Sequence, residues 1–137
     1  MGYSHRWTIK EEITPAKFSE WVNCVKAIVE TAIDAGIPLG NGLGEDVPEI
    51  AENLVAFNGV GNQGHEVFGI ALGDSGFDFC KTAEKPYDAA VTASLISAKI
   101  IFGSAIEIAS DGNWDDWQSG RVLYETLFGF APDSVLS

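Results

Sequence analysis

FDFCKTAEKPYD, running from Phe77 to Asp88, is the stretch whose reading decides the fold. Phe77, Phe79 and Lys81 alternate with Asp78, Cys80 and Thr82. A period of two marks a strand with one apolar face. On that reading Lys81 shares the inner face with two phenylalanines, and Cys80 points the other way. Lys85 precedes a proline and is expected to be extended. Pro86 fits the first position of a helix, where a missing N–H costs nothing. Tyr87 and Asp88 then fall in the first helical turn. The stretch is a strand-to-helix junction, and a helix start with free N–H groups beside two lysines suits an anion. The simpler alternative has Asp88 complementing the helix dipole and Lys81 snorkelling to water.

Upstream, Gly73-Asp74-Ser75-Gly76 is turn chemistry. Before it, His65 to Leu72 reads as a strand with Glu66, Phe68, Ile70 and Leu72 on one face. Leu54 to Asn58 is a shorter strand, and Gly59, Gly61 and Gly64 turn the chain between the two. With Phe77 to Thr82 these form an antiparallel meander. Residues 37–53 read as a loop. Their glycines, Gly40, Gly42 and Gly44, follow a helix and open none, so a dinucleotide fingerprint is rejected. That helix starts at Thr14-Pro15, a cap followed by a first-turn proline. Phe18, Trp21, Val22, Val25, Ile28, Val29, Ala32 and Ile33 line its apolar stripe, and Gly36 ends it. Tyr3, His5, Trp7 and Ile9 alternate on a first strand.

Downstream, an Ala- and Ser-rich helix runs from Pro86 to about Phe102 and stops at Gly103. Ala105 to Ser110 alternates, with Ile106, Ile108 and Ser110 on one face. Asp111-Gly112-Asn113 is a turn, and Asn113 caps a third helix with Asp116 three residues on. Trp114 and Trp117 read as core anchors whose neighbouring acids face water. Residues 130–137 read as a loosely docked tail. The order β-α-β-β-β-α-β-α predicts one α+β domain over residues 1–137. Its sheet is mostly antiparallel, with helices packed mainly on one face.

Composition bounds the function. The chain has 137 residues and 46% hydrophobic content, enough for one domain with a real core. No apolar run is expected to span a bilayer, and the first twelve residues do not read as a signal peptide. Cys24 and Cys80 are too few for a disulfide framework, so a reduced, cytoplasmic setting is expected. Twenty acids against eight Lys and Arg give a net charge of −12. Binding of duplex nucleic acid is therefore excluded. A DNA-mimicking surface is permitted, although a solvated acidic surface explains the charge more simply.

His5, Glu66, Lys81 and Ser110 all fall on the predicted apolar faces of their strands, near strand ends. Buried charges need partners or a water-filled pocket, and a polar cluster at one end of the sheet satisfies either condition. No cofactor motif is read. His5, His65, Cys24 and Cys80 stand at no ligand spacing, so no metal is expected. Were a hard cation bound, Glu66, Asp88 and Asp111 could supply oxygen ligands.

GYSHRW at Gly2 to Trp7, FNG at Phe57 to Gly59, HEVF at His65 to Phe68, FCKTAEKPYD at Phe79 to Asp88 and SDGNWDDW at Ser110 to Trp117 occur in that order. Over nearly the whole length the chain resembles a family of small bacteriophage and prophage proteins. It departs from the family pattern at Arg6, where an aromatic is usual, and at Glu84, where an arginine is usual. The resemblance carries over no reaction. It implies a phage or prophage setting in a bacterial host cell, and it points to His5, Asn58, His65, Glu66, Cys80, Lys81, Lys85, Tyr87, Asp88 and Asp111.

The ligand-binding set read from the sequence is therefore His5, Asn58, His65, Glu66, Lys81, Lys85, Tyr87, Asp88 and Asp111. The first expectation is a small anionic ligand held at the 81–88 junction, for instance a nucleotide-derived defence signal. A second is acid–base catalysis in the same pocket by His5 or His65 with Glu66 or Asp88. A third is an acidic interaction protein that occupies a host partner. Assembly of several copies is left open.

Overall fold

The computed structural model describes residues 2–137, and Met1 lies outside the described residues. The domain is α+β, with three helices and two antiparallel sheets. Strand β1 (Ser4–Ile9) turns His5, Trp7 and Ile9 inward, as its alternation predicts. Helix α1 (Pro15–Asp34) opens as expected. Thr14 is extended, and its hydroxyl accepts from the Lys17 N–H at 3.2 Å. The helix buries Phe18, Trp21, Val22, Val25, Ile28, Val29 and Ala32. Ile33, assigned to the same stripe, is 44% exposed in the last turn.

Residues 37–53 are more ordered than a loop. They contain β2 (Leu39–Gly40) and β3 (Glu49–Ala51), both antiparallel to β4 (Leu54–Gly59). β5 (Phe68–Ala71) pairs with β4 from Leu54↔Ala71 to Phe57↔Phe68. It is shorter than the predicted His65–Leu72 strand and leaves His65 and Glu66 ahead of it. The predicted three-strand meander is overturned at the next step. Gly73 and Gly76, at φ +97° and +80°, redirect the chain. β6 (Gly76–Lys81) then joins β1 instead of β5. The single sheet becomes two, one ordered β6-β1-β7 and one centred on β4.

This pairing also reverses the predicted faces of β6. Cys80 lies opposite His5 and Asp78 opposite Trp7, so the core parity of β1 puts Cys80 inside. Cys80 is fully buried, whereas Phe77 and Phe79 are 63% and 50% exposed. Lys81 goes outward with them. Apolarity suggested the opposite assignment, and a shift of one residue exchanges the two faces.

Helix α2 (Asp88–Phe102) begins two residues later than expected, because Pro86 and Tyr87 form a preceding turn. It is buried almost all round, from Ala89 to Ala98. Small side chains let α1 and α3 (Gln118–Phe128) approach it closely. The Trp21 indole donates to the Ser94 carbonyl at 2.9 Å, and Gly120 of α3 sits directly on Thr92. The 18-residue stretch Asp88–Ala105 has a mean hydropathy of 1.2, long and apolar enough to cross a membrane, contrary to the expectation that no run would be. Its apolar side chains are used in the core, where 61% of the stretch is buried.

Gly103 ends α2 at φ +58°. β7 (Ile106–Ser110) then pairs antiparallel with β1, with His5 facing Ser110. Asn113 and Asp116 cap each other reciprocally at 2.8 and 3.0 Å, but over a short 3-10 turn (Asp115–Trp117); α3 itself starts later than expected, at Gln118, without a side-chain cap. The tail is not loosely docked. Val135 is buried, Leu136 bridges to Ile108, and the Ser137 N–H donates to the Ile108 carbonyl at 2.9 Å.

Candidate functional site

At the open end of the three-stranded sheet, β1, β7 and the start of α2 meet at His5. The ring is fully buried. Its Nδ1 lies 2.8 Å from the Ser110 hydroxyl and its Nε2 lies 2.6 Å from Asp88 Oδ1. Ser110 Oγ already accepts from the Gly112 N–H at 3.0 Å and the Trp117 indole N–H at 3.1 Å. With both lone pairs used, its proton must go to His5 Nδ1. Nε2 then carries the ring proton and donates to Asp88. The Thr82 hydroxyl donates to the same carboxylate oxygen at 2.6 Å. Tyr3 and Trp117 close on the imidazole edge to face, with centroids at 5.2 and 5.0 Å.

The order Ser–His–Asp resembles a nucleophilic triad, but the chemistry is unavailable. An attacking hydroxyl needs a free lone pair and an approach for the substrate. Ser110 has no free lone pair, and His5 has no exposed surface. The chain acts as a post that fixes Asp88 at the rim of a cleft, with 17% of the Asp88 side chain exposed.

The helix start does not offer free N–H groups, which corrects the expected anion site. Asp88 N–H donates to the Lys85 carbonyl at 2.9 Å and Ala89 N–H to Pro86 at 3.4 Å. Ala90 and Val91 both donate to Tyr87, at 3.0 and 3.1 Å. Lys81 is not at the helix start either. A Cβ placed on Gly2 would lie 2.7 Å from Lys81 Cε and 3.1 Å from its Nζ, so the ammonium lies across Gly2.

Glu66 and Tyr87 form a second knot around the end of β6. Glu66 Oε1 accepts the Lys81 N–H at 2.8 Å, and the Tyr87 hydroxyl donates to the Glu66 carbonyl at 2.6 Å. Burial, then the neighbouring Cys80, pushes the Tyr87 phenol up. Burial also pushes the Cys80 thiol up to about 12, which Tyr87 only partly offsets. Nucleophilic cysteines need the opposite environment. In a Cys24→Ser background, Cys80 should react with an alkylating reagent at pH 8 far more slowly than a free thiol, and normally once the protein is unfolded. A native rate equal to that of a free thiol would contradict this burial.

Asn58 and His65 belong to a third knot, at the turn between β4 and β5. Asn58 Nδ2 donates to the Gly42 and His65 carbonyls at 3.2 and 3.0 Å. Its Oδ1 accepts from the Gly59 and His65 N–H groups at 2.8 and 3.0 Å. Backbones meet so closely here that a Cβ on Gly59 would overlap the Gln63 carbonyl. The glycines and Asn58 thus hold two loops together. Asn58→Ala should cost about 3 kcal/mol in chemical denaturation, because several buried backbone groups lose partners. His65→Ala, which removes an exposed ring, should cost under about 0.5 kcal/mol. Similar losses for the two would contradict this assignment. Asp111 is at the surface. Arg6, at 2.8 Å, and then the Ser4 N–H, at 2.9 Å, hold its carboxyl below the usual range.

The predicted set of nine is therefore divided among separate structural knots. The cleft beside the first is lined by residues that the sequence reading largely missed. Glu84, Asp88 and Asp116, with Lys85 and Tyr3, enclose about 210 Å³. An adjoining depression of about 550 Å³ adds Asp111 and shares Tyr3 and Glu84. The Tyr3 phenol is pushed up to about 12, by burial first and then by Asp88 and Asp116. Glu84 adds to the same shift, and the nearby Ser110 hydroxyl opposes it. Ala83 and Glu84 stand at φ +52° and +57°, uncommon for residues with side chains. The Thr82 and Ala83 N–H groups, both donating to the Tyr3 carbonyl at 3.1 and 3.2 Å, hold this turn. Each such residue costs about 1–3 kcal/mol unless its surroundings fix it. Among the described residues no three His, Cys, Asp or Glu side chains are grouped to share a metal ion.

Comparison with protein-family models, curated proteins and solved structures finds no match for the chain.

Proposed function

We propose that the protein binds a small organic cation, an amine or guanidinium, in the cleft between Tyr3 and Asp116. The observation that carries the reading is the set of three carboxylates facing the half-buried Tyr3 phenol, with Lys85 the one cation among the charged groups lining the cleft. Lys85 offsets one of the three carboxylates, and the charged groups lining the cleft remain net negative. An ammonium gains from the carboxylates and from the tyrosine face together. A nucleotide phosphate would meet Glu84, Asp88, Asp116 and Asp111 instead, and like charges brought together cost several kcal/mol. The ligand-binding expectation at this junction is kept, with the sign of the ligand reversed. A phage or prophage setting, implied by the sequence resemblance, belongs to the same proposal.

A thermal-shift screen of arginine, putrescine and spermidine against nucleotides tests the sign. At a hundred times the dissociation constant a ligand adds about 2.7 kcal/mol of stability. The amines should raise the melting temperature of wild type, and Glu84→Gln with Asp116→Asn should remove the effect. Stabilisation by nucleotides but not by amines would overturn the reading.

A further inference from the structure

The outer face of the β6-β1-β7 sheet carries the most exposed aromatic pair in the described strands. Phe77 and Phe79 stand 6.2 Å apart, 63% and 50% exposed. Isolated surface apolar residues need no explanation, but a paired aromatic strip on an uncovered sheet face does. Across β1, Phe79 lies beside Arg6 and Phe77 beside Thr8; on β7 the row continues to Ala109 and Glu107. A depression of about 120 Å³ opens between Phe77 and Ala109, enough for one side chain.

Three features decide what this face takes. First, the sheet edges are partly closed. The outward N–H groups of Phe79 and Lys81 are taken by Asp78 Oδ1 at 2.7 Å and Glu66 Oε1 at 2.8 Å. The β7 edge is occupied by Leu136 and Ser137. An occupant therefore lies on the face and does not extend the sheet. Second, three strands spaced by about 4.8 Å, each rising about 3.3 Å per residue, offer roughly 300 Å². A stable protein pair buries about 800 Å² on each partner. This face alone is too small to hold a second copy and suits a short segment. Third, one cation is left over locally. Arg6 is paired with Asp111 at 2.8 Å and Lys10 with Glu107 at 2.7 Å. Lys81, at the end of the aromatic row, makes no ion pair among the described residues.

We propose that this face docks a short extended segment of a partner protein, with apolar side chains on Phe77 and Phe79 and a carboxylate toward Lys81. The proposal is independent of the cation cleft.

The test selects from a display library of short random peptides against the immobilised full chain, then measures the enriched peptides by fluorescence polarisation. Enriched peptides should combine apolar residues with an acid. They should bind the Phe77→Ser/Phe79→Ser variant about tenfold or more weakly. Added salt and Lys81→Glu should both weaken binding, and Asp116→Asn should leave it unchanged. Lys81→Glu alone decides the case if the double serine variant fails to fold. Three results would overturn the proposal: no enriched peptide, peptides indifferent to these substitutions, or sedimentation showing a dimer that the serine variant dissolves.

Discussion

Gly120→Ala is expected to destabilise the protein by about 2–3 kcal/mol, although the same change in an exposed helix stabilises by about 1 kcal/mol. Gly120 lies in α3 where it crosses α2. A Cβ there would overlap the Thr92 hydroxyl, and would lie 2.7 Å from Thr92 Cβ and 2.9 Å from the Ala93 backbone nitrogen. The hydroxyl could rotate away, but the other two atoms are fixed to the backbone of a buried helix. Relief requires α3 to move off α2, which uncovers the small-residue surface that α2 presents. Urea denaturation of the two proteins gives the sign directly. A neutral or stabilising result would mean that the two helices are farther apart.

His5→Ala should cost about 3–5 kcal/mol. The substitution leaves a cavity under Tyr3 and Trp117 and takes the acceptor from the Ser110 hydroxyl. It also removes a donor from Asp88, which keeps only Thr82 among its side-chain partners in the fold. Groups retained for chemistry often cost stability, so removing one is frequently neutral or favourable. The size of this loss therefore separates a structural post from a catalytic histidine. A loss under about 1 kcal/mol would contradict the structural role. Ser110→Ala should give a smaller loss, because it unpairs two donors without opening a ring-sized cavity.

What the sequence reveals here depends on the range of the interaction. The caps at Thr14 and Asn113, the α1 stripe and the stops at Gly36 and Gly103 depend on neighbours within four residues, and their patterns are legible. His5 and Ser110 were assigned correctly to inner strand faces, because alternation is local too. The facing of β6 was not legible. Its parity is set by β1, about seventy residues away, and the two phenylalanines argue for the wrong side. The division into two sheets follows from the same pairing. The cleft was missed for other reasons. Glu84 adopts a left-handed conformation that no glycine or asparagine announces, and Asp116 reads as a capping residue, which it also is. Lys81 and Lys85 suggest a cationic pocket because Asp116, which joins Glu84 and Asp88 around Tyr3, comes from a distant segment of the chain.

An acidic chain attracts any polyamine through its overall field, so binding alone does not establish a site. The decisive measurement is residue-resolved: a titration of isotopically labelled protein with spermidine, followed by nuclear magnetic resonance at physiological salt. The account predicts saturable shifts confined to Tyr3, residues 84–89, Asp116 and Ser119, and lost in Glu84→Gln with Asp116→Asn. Weak, non-saturating shifts spread over the carboxylates of the whole surface would contradict it.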